Sequence, residues 1–330
     1  MLFLQRLAAA ATNFSPTQHR LALRTSSSST SIFEPKISTF EPAPDSPNPL
    51  IIHQFPCLND NYGFIVHSPA TQETAAIDSP CAASYLSILS KKNYTLTHIF
   101  NTHHHDDHMG GNDGLLKSFP SAKLLGPVEC KPKKGLLASA SRIFSKDYDA
   151  TSPSELKSST LDDVTIAGGH VEPFGNTSVY VLDTPGHTLH HVSLYFPGVG
   201  ACFVGDTIFS LGCGRMFEGN PKMFLESIER VKMLPDDTLL FCAHEYTQNN
   251  GEFATWAEPD NELLLQRYEE VKELRQASQP TVPTTLKLEK DTNPFLRTGE
   301  RSIQEGLGNK WQENHKIFAL LREKKDGWDS

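Results

Sequence analysis

The sequence predicts a layered sandwich of the α/β or α+β class followed by a small, mainly helical C-terminal region. Three observations predict it. From Leu50 onward the chain runs in short apolar stretches bounded by turn residues, as strands do. Helical patterns are interspersed among those stretches, which in a compact domain means helix layers packed on sheets. After Tyr246 the strand pattern gives way to charged segments with helical periodicity.

Taken in order, "LIIHQF" (50–55), "GFIVHS" (63–68) and "TAAID" (74–78) read as the first strands. Residues 81–92 read as a helix, and "THIFNT" (97–102) and "AKLLGP" (122–127) as further strands. Residues 128–162, rich in Lys and Ser, read as a long loop without a motif. "VTIAGGHVEPF" (164–174) predicts a hairpin with Gly168 and Gly169 near its turn. Three more strands follow in "SVYVLDTPG" (178–186), "VSLYF" (192–196) and "ACFVGD" (201–206). A helix over 221–233 and the strand "TLLFCAH" (238–244) close this section. Beyond it a charged helix is expected over 260–277, a break at "QPTVPTT" (279–285), and a last helix over 310–325.

Ahead of Leu50 the composition differs. Arg6, Arg20 and Arg24 are basic, no acid precedes Glu34, and "TSSSSTS" (25–31) is serine-rich. Basic, Ser-rich and acid-poor is the composition of an organelle transit peptide. A mitochondrial address is expected, with a plastid as the alternative and the cytoplasm if the segment is no leader. "EPAPDSPNP" (41–49) reads as a Pro-rich linker. The expected organisation is leader and linker over 1–46, a catalytic domain over 47–245, and a helical domain over 246–330.

The whole chain of 330 residues carries a net charge of −9, a poor balance for a nucleic-acid binder, which needs clustered Lys and Arg. It has no apolar run of the ~18 residues a membrane span requires. The six cysteines form no C-x-x-C pair and read as reduced thiols packed as small hydrophobes. Neither a G-x-S-x-G elbow nor a phosphate-binding Gly-rich loop is present.

The chemistry concentrates in "NTHHHDDHMGGN" (101–112), directly after a predicted strand. On an extended segment alternate side chains share a face, so His103 and His105 can grip one ion. Asp107 and His108, at the following bend, can face another, and Gly110–Gly111 permits a tight turn there. Imidazole and carboxylate without thiolate suit zinc, iron or manganese. Further ligands are expected where other apolar runs end: His187 in "DTPGHT", Asp206 in "FVGDT" and His244 in "FCAHEY". Five histidines and two aspartates make the count for two ions. His104, His190 and His191 read as non-ligands, at most supporting the ligands from behind.

With these residues in hand, the chain from about residue 50 onward resembles the metallo-β-lactamase superfamily and, within it, glyoxalase II, the hydroxyacylglutathione hydrolases. The H-x-H-x-D-H element is shared by the whole superfamily. "GDTIFSLGCGRMFEG" (205–219), "CAHEYT" (242–247), "TVPTTLKLEKDTNPFLR" (281–297) and "LREKKD" (321–326) are similar to glyoxalase II in particular. The resemblance implies an α+β fold, a four-layered αββα sandwich with a small C-terminal helical domain. It implies one divalent ion on His103, His105 and His187, a second on Asp107, His108 and His244, and Asp206 between them. Asp107 and Asp206 would be the catalytic carboxylates, serving a metal-activated water that attacks a thioester carbonyl. Arg215, Phe217, Tyr246, Arg322 and Lys325 would line the site for the glutathione part of a thioester substrate. Phe217 departs from the tyrosine of some relatives and so lacks its hydroxyl. The implied activity is hydrolysis of S-lactoylglutathione to D-lactate and glutathione by a monomer, with zinc the first expectation for the metal. The alternative is a persulfide dioxygenase of the same superfamily with a single iron, which shares the front motif and the "GCGR" string.

Overall fold

Two mixed β-sheets lie face to face, and the residues between them decide where every loop of interest ends. The computed structural model describes residues 22–25, 37–41, 49–127, 129–130, 168–308 and 312–328. The first sheet runs in chain order: β1 (Ala22–Thr25), β2 (Ser38–Glu41), β3 (Ile51–Cys57), β4 (Asn61–His67), β5 (Thr74–Ile77), β6 (His98–Phe100) and β7 (Lys123–Leu125). The strands from β1 to β5 are antiparallel neighbours, while β5, β6 and β7 are parallel. The second sheet begins with β8 (Val171–Phe174), β9 (Thr177–Asp183), β10 (Val192–Phe196) and β11 (Ala201–Gly205). A two-stranded hairpin, β12 (Ile208–Phe209) and β13 (Gly212–Cys213), projects from its end. β14 (Leu239–Cys242) returns parallel to β11, and β15 (Thr284–Thr285) adds the edge.

Strand alternation explains the layering. Phe64 and Val66 of β4 face the second sheet, and Ile65 between them faces the other way. The inner face is aromatic: Phe64 meets Phe203 at 5.3 Å and Phe241 at 5.6 Å, and Phe40 meets Phe241 at 5.3 Å. Each ring is fully buried or nearly so, and such burial contributes about 1.5–3 kcal/mol per side chain. On the outer face of the first sheet, Ile65, Ala76 and Ile99 pack against Tyr85, Ile88 and Leu89 of α1 (Ala82–Lys92). α1 ends on Asn93 in the left-handed region, with Lys91 and Lys92 at its negative pole. The short α2 (Asp106–Met109) precedes α3 (Asn112–Ser118), whose Leu115 and Leu116 join the same cluster. α4 (Pro221–Lys232) covers the second sheet and starts on Asn220, whose side chain accepts from the Met223 amide at 3.0 Å. The αββα order is therefore present, as expected.

The remainder is helical: α5 (Thr247–Ala257), α6 (Glu262–Gln276), α7 (Leu286–Thr292), α8 (Arg301–Gly306) and α9 (Asn314–Asp326). It is not a separate globule. β15 pairs with β14, α9 lies along α4, and Phe253, Phe295, Phe318 and Leu321 belong to the same core as both sheets. Phe318 sits 5.5 Å from Phe224 of α4 and 5.7 Å from Phe295.

One expectation is corrected. The catalytic sheet starts before residue 47, because Ser38–Glu41 pairs with β3 and Phe40 is buried in the core. That strand is one aromatic in a short polar stretch, too little pattern to separate from a Ser- and Pro-rich leader. A hairpin turns at Gly175–Asn176, where Gly175 supplies the left-handed φ of +62°, while the first arm of the hairpin expected over 164–174 lies outside the described residues. Most of the expected leader, and nearly all of the 128–162 loop, lie outside the described residues.

A shared core makes a specific prediction. Phe318→Ala should destabilise the whole chain by about 3–5 kcal/mol, with one denaturant transition moving as a unit. Two transitions, with only the helical signal shifted, would mean the C-terminal segment folds alone.

Candidate metal centre

The seven candidate ligands come from five places in the chain and meet at one edge of the sandwich. β6 ends at Phe100 and leads into His103 and His105. The bend expected after them is the single turn α2, which carries Asp107 and His108. Gly110 and Gly111 have ordinary negative φ, so they are needed for close approach rather than for a left-handed turn. A Cβ on Gly110 would lie 2.6 Å from the Asp106 carbonyl oxygen, and one on Gly111 2.6 Å from the Ala82 nitrogen. β9, β11 and β14 deliver His187, Asp206 and His244 just past their ends. Gly205 has φ +46°, and a side chain there would strike Thr102 and His191.

The donor atoms form three overlapping groups: His103, His105 and His187; His103, His108 and Asp206; Asp107, His108 and His244. Within each group they lie within 4.8 Å of one another. His105 Nδ1 stands 3.1 Å from His103 Nε2 and 3.0 Å from His187 Nε2. Asp206 divides its carboxylate between the groups. Oδ2 is 3.4 Å from His187 Nε2, while Oδ1 is 3.4 Å from His108 Nε2 and 3.6 Å from His244 Nε2. Asp107 Oδ2 lies 3.4 Å from His244 Nε2 and 3.6 Å from His108 Nε2.

The hydrogen bonds behind the rings fix which nitrogen faces inward. His108 Nδ1 donates to Asp78 at 2.9 Å, and His244 Nδ1 donates to Asp60 at 2.8 Å. His187 Nδ1 donates to the Arg215 carbonyl at 2.8 Å. His103 Nδ1 donates at 3.0 Å to the Thr102 hydroxyl, whose own proton goes to Asp78. In each neutral imidazole the proton is on Nδ1, so four Nε2 lone pairs point into one space. His191 lies behind the cluster, where its Nε2 accepts the Asp206 amide at 3.1 Å and so helps set the carboxylate's position.

Charge follows the same plan. Burial, with the neighbouring histidines, pushes His103 well below the ordinary imidazole value, and burial likewise lowers His105 and His187. Burial opposes charging of His244, yet Asp206, Asp107 and Asp60 outweigh it and raise it to about 9. His108 is raised in the same way by Asp206, Asp78 and Asp107 against burial. The hydrogen bond from His244 holds Asp107 well below the usual carboxylate range. His108 Nε2 and Asp206 Oδ1 are buried with no hydrogen-bond partner among the described residues. Orphaned buried groups of this kind are costly unless a cation takes them up, so the residues fit a divalent metal. The donor set suits a dinuclear site.

The cluster floors a cavity of about 650 Å³. Phe217 stands at its mouth, its ring edge-on to His105 at 5.5 Å and to His187 at 5.2 Å. Tyr246 stacks on His244 at 4.8 Å and 6°. The opposite wall is cationic, formed by Arg322 and Lys325 of α9 and by the exposed Arg215. Arg322 is 4% exposed and donates to the Cys213 carbonyl at 2.8 Å; Lys325 donates to the Asn249 carbonyl at 3.2 Å. All twelve residues singled out from the sequence belong to this one region.

Comparison with known proteins agrees with the geometry. Residues 68–244 match the metallo-beta-lactamase superfamily model, and residues 245–328 match that of the hydroxyacylglutathione hydrolase C-terminus. A hydroxyacylglutathione hydrolase of Erythrobacter litoralis is 42% identical over 279 residues, covering 84% of this chain and 100% of that one. One of Hyphomonas neptunium is 40% identical over 275 residues, covering 83% and 97%. The chain belongs to the hydroxyacylglutathione hydrolase family. Among solved structures, the BLEG-1 B3 metallo-beta-lactamase shares the fold, with a TM-score of 0.50 and 20% identity over 74% of this chain and 98% of that one.

In this family member three supporting residues escaped sequence reading: Asp60, Asp78 and Thr102. Asp78 is the most connected. Beyond holding His108, its carboxylate accepts from the Thr102 amide at 2.8 Å and from the Thr102 hydroxyl at 3.0 Å. It thus orients one ligand of each trio, and it does so from a left-handed φ of +51°. Its only signal in sequence is an acid closing an apolar run, "TAAID".

Two outcomes follow. Asp78→Asn should weaken metal retention about 10–100-fold, read by chelator competition, while the fold survives. In the metal-free chain His244 keeps its proton up to about pH 9, so a cation must expel it to bind. Affinity should therefore fall as pH drops below about 9, with proton release seen as heats that depend on buffer ionisation; a flat pH response would contradict the assignment.

Proposed function

We propose that this chain hydrolyses the thioester of an S-(2-hydroxyacyl)glutathione such as S-lactoylglutathione, giving D-lactate and glutathione. One observation carries the reading: a single cavity has the divided Asp206 carboxylate on its floor and Arg322, Lys325 and Arg215 on its wall. The names of the relatives support the same substrate class.

In this reading His103, His105 and His187 hold one divalent cation and Asp107, His108 and His244 a second, with Asp206 shared. Zinc is the first candidate, then iron or manganese. Such a pair supplies Lewis acidity and a water acidic enough to ionise near neutral pH. The chain's own residues do the rest. Asp60, Asp78 and the Arg215 carbonyl keep the imidazoles in one tautomer. Phe217 packs edge-on against the rings of His105 and His187, and Tyr246 stacks on that of His244. Phe217 has no hydroxyl, so its contact with a ligand is apolar. Arg322 and Lys325 meet the carboxylates of the glutathione part and fix the thioester over the floor. A single-iron oxidoreductase is not favoured, because the Asp107, His108 and His244 group is intact beside Asp206. The reading keeps a monomer, and an organelle address on the composition of the residues ahead of Ser38 alone.

The test is direct: metals counted per chain, thioester loss followed on S-lactoylglutathione, and oxygen uptake recorded. Asp206→Ala should lose metal and more than about a hundredfold in turnover. Near-full turnover with one metal per chain would sink the two-cation reading. Arg322→Ala should raise KM at least about tenfold with little change in kcat. Burial and the neighbouring Arg322 lower Lys325 to about 8, with Glu252 and Asp326 opposing. Its cation is present below about pH 8 and lost above it, so KM should climb on the alkaline side while kcat moves less.

A further inference from the structure

Asp326 has no role in the chemistry above, yet it pairs with two of the cations that line the cavity. Its Oδ1 accepts from Arg322 Nε at 3.1 Å and lies 3.0 Å from Arg322 Nη2 and 3.7 Å from Arg215 Nε. Arg322 Nη1 donates to the Cys213 carbonyl. The Nε–Nη2 edge, the one best shaped to grip a carboxylate, is therefore already taken. Exposure separates the two partners. The Arg322 side chain is 5% exposed and cannot be rehydrated, whereas that of Asp326 is 44% exposed and can yield to solvent.

Helix stability does not account for an acid there. Residue 326 closes the last turn of α9, where the backbone carbonyls disfavour a carboxylate. The order Arg322 then Asp326 is the poorer of the two i,i+4 arrangements.

We propose that Asp326 tempers the cationic wall: it orients Arg322 and competes with the ligand's carboxylates for the same guanidinium edge. The inference rests on the glutathione-thioester reading. Substrate and released glutathione carry the same two carboxylates, so a stronger grip on them binds both alike. That lowers KM without raising kcat and holds the product back. A displaceable carboxylate on the wall offsets this.

The test uses the full metal-loaded chain and glutathione itself as probe, by calorimetry and as an inhibitor of S-lactoylglutathione hydrolysis. Asp326→Asn keeps an acceptor for Arg322 and removes the charge. The glutathione dissociation constant, its inhibition constant and KM should all fall by about threefold or more, and binding should weaken more steeply with salt. Asp326→Ala also removes the acceptor, so its gain should be smaller. If Asp326→Asn binds glutathione as the parent does, or more weakly, Asp326 does not compete and the inference falls. If the alanine variant gains as much, Asp326 does not orient Arg322 and that half falls. A parent chain that binds glutathione but leaves the thioester intact would sink the functional reading while the binding comparison still decided this one.

Discussion

Four imidazole Nε2 atoms aimed at one small space beside Asp107 and Asp206 are the constraint on which the rest of this structure depends. As bare lone pairs they repel each other, and the buried Asp206 and half-buried Asp107 carboxylates repel as well, which is why His244 holds a proton when no metal is bound. Only a compensating positive charge makes the arrangement favourable, so the fold must hold the groups in place against their own electrostatics. It does so from behind. Asp60, Asp78, Thr102 and the Arg215 carbonyl accept every Nδ1 proton, which leaves the rings no alternative tautomer and no freedom to flip.

The sandwich supplies the stiffness this needs. Ligands sit within a few residues of the ends of β6, β9, β11 and β14, and β11 and β14 are anchored by Phe203 and Phe241, which stack on each other and meet Phe64 of the facing sheet edge-on. The long loops carry little of the burden, since each ligand leaves a strand only briefly before it is caught by a hydrogen bond. The strand ends, rather than the two sheets, divide the task. Loops after β6, β9, β11 and β14 bring the groups that face inward, while Asp78 after β5 and Asp60 before β4 bring the groups that hold them.

Much of this was legible in the sequence because metal ligands are chemically conspicuous. Four histidines and two aspartates within six residues admit few bland explanations, and His187, Asp206 and His244 each follow an apolar run. The supporting groups were not legible, for the opposite reason. Asp60, Asp78 and Thr102 are ordinary residues at ordinary turns, and only their distance from a ring nitrogen gives them meaning. The same limit explains Phe40, a lone aromatic in a polar stretch, whose partner Phe241 lies some two hundred residues on. It also explains the glycine pair after the cluster. Composition announces a tight turn there, but the need is for the backbone of Asp106 and Ala82 to come close.

The edge strand β15 carries a last consequence. Because the tail of the chain completes the second sheet and lines the same interior as the ligand-bearing strands, recognition and chemistry were never separable parts. An engineer cannot graft a foreign tail onto this body to obtain a new specificity without opening the oily centre of the molecule. Change must come through positions that face the cavity rather than the sheets, 322 and 325 on the final helix and the segment bearing Arg215 and Phe217. Both can vary while the interior stays intact.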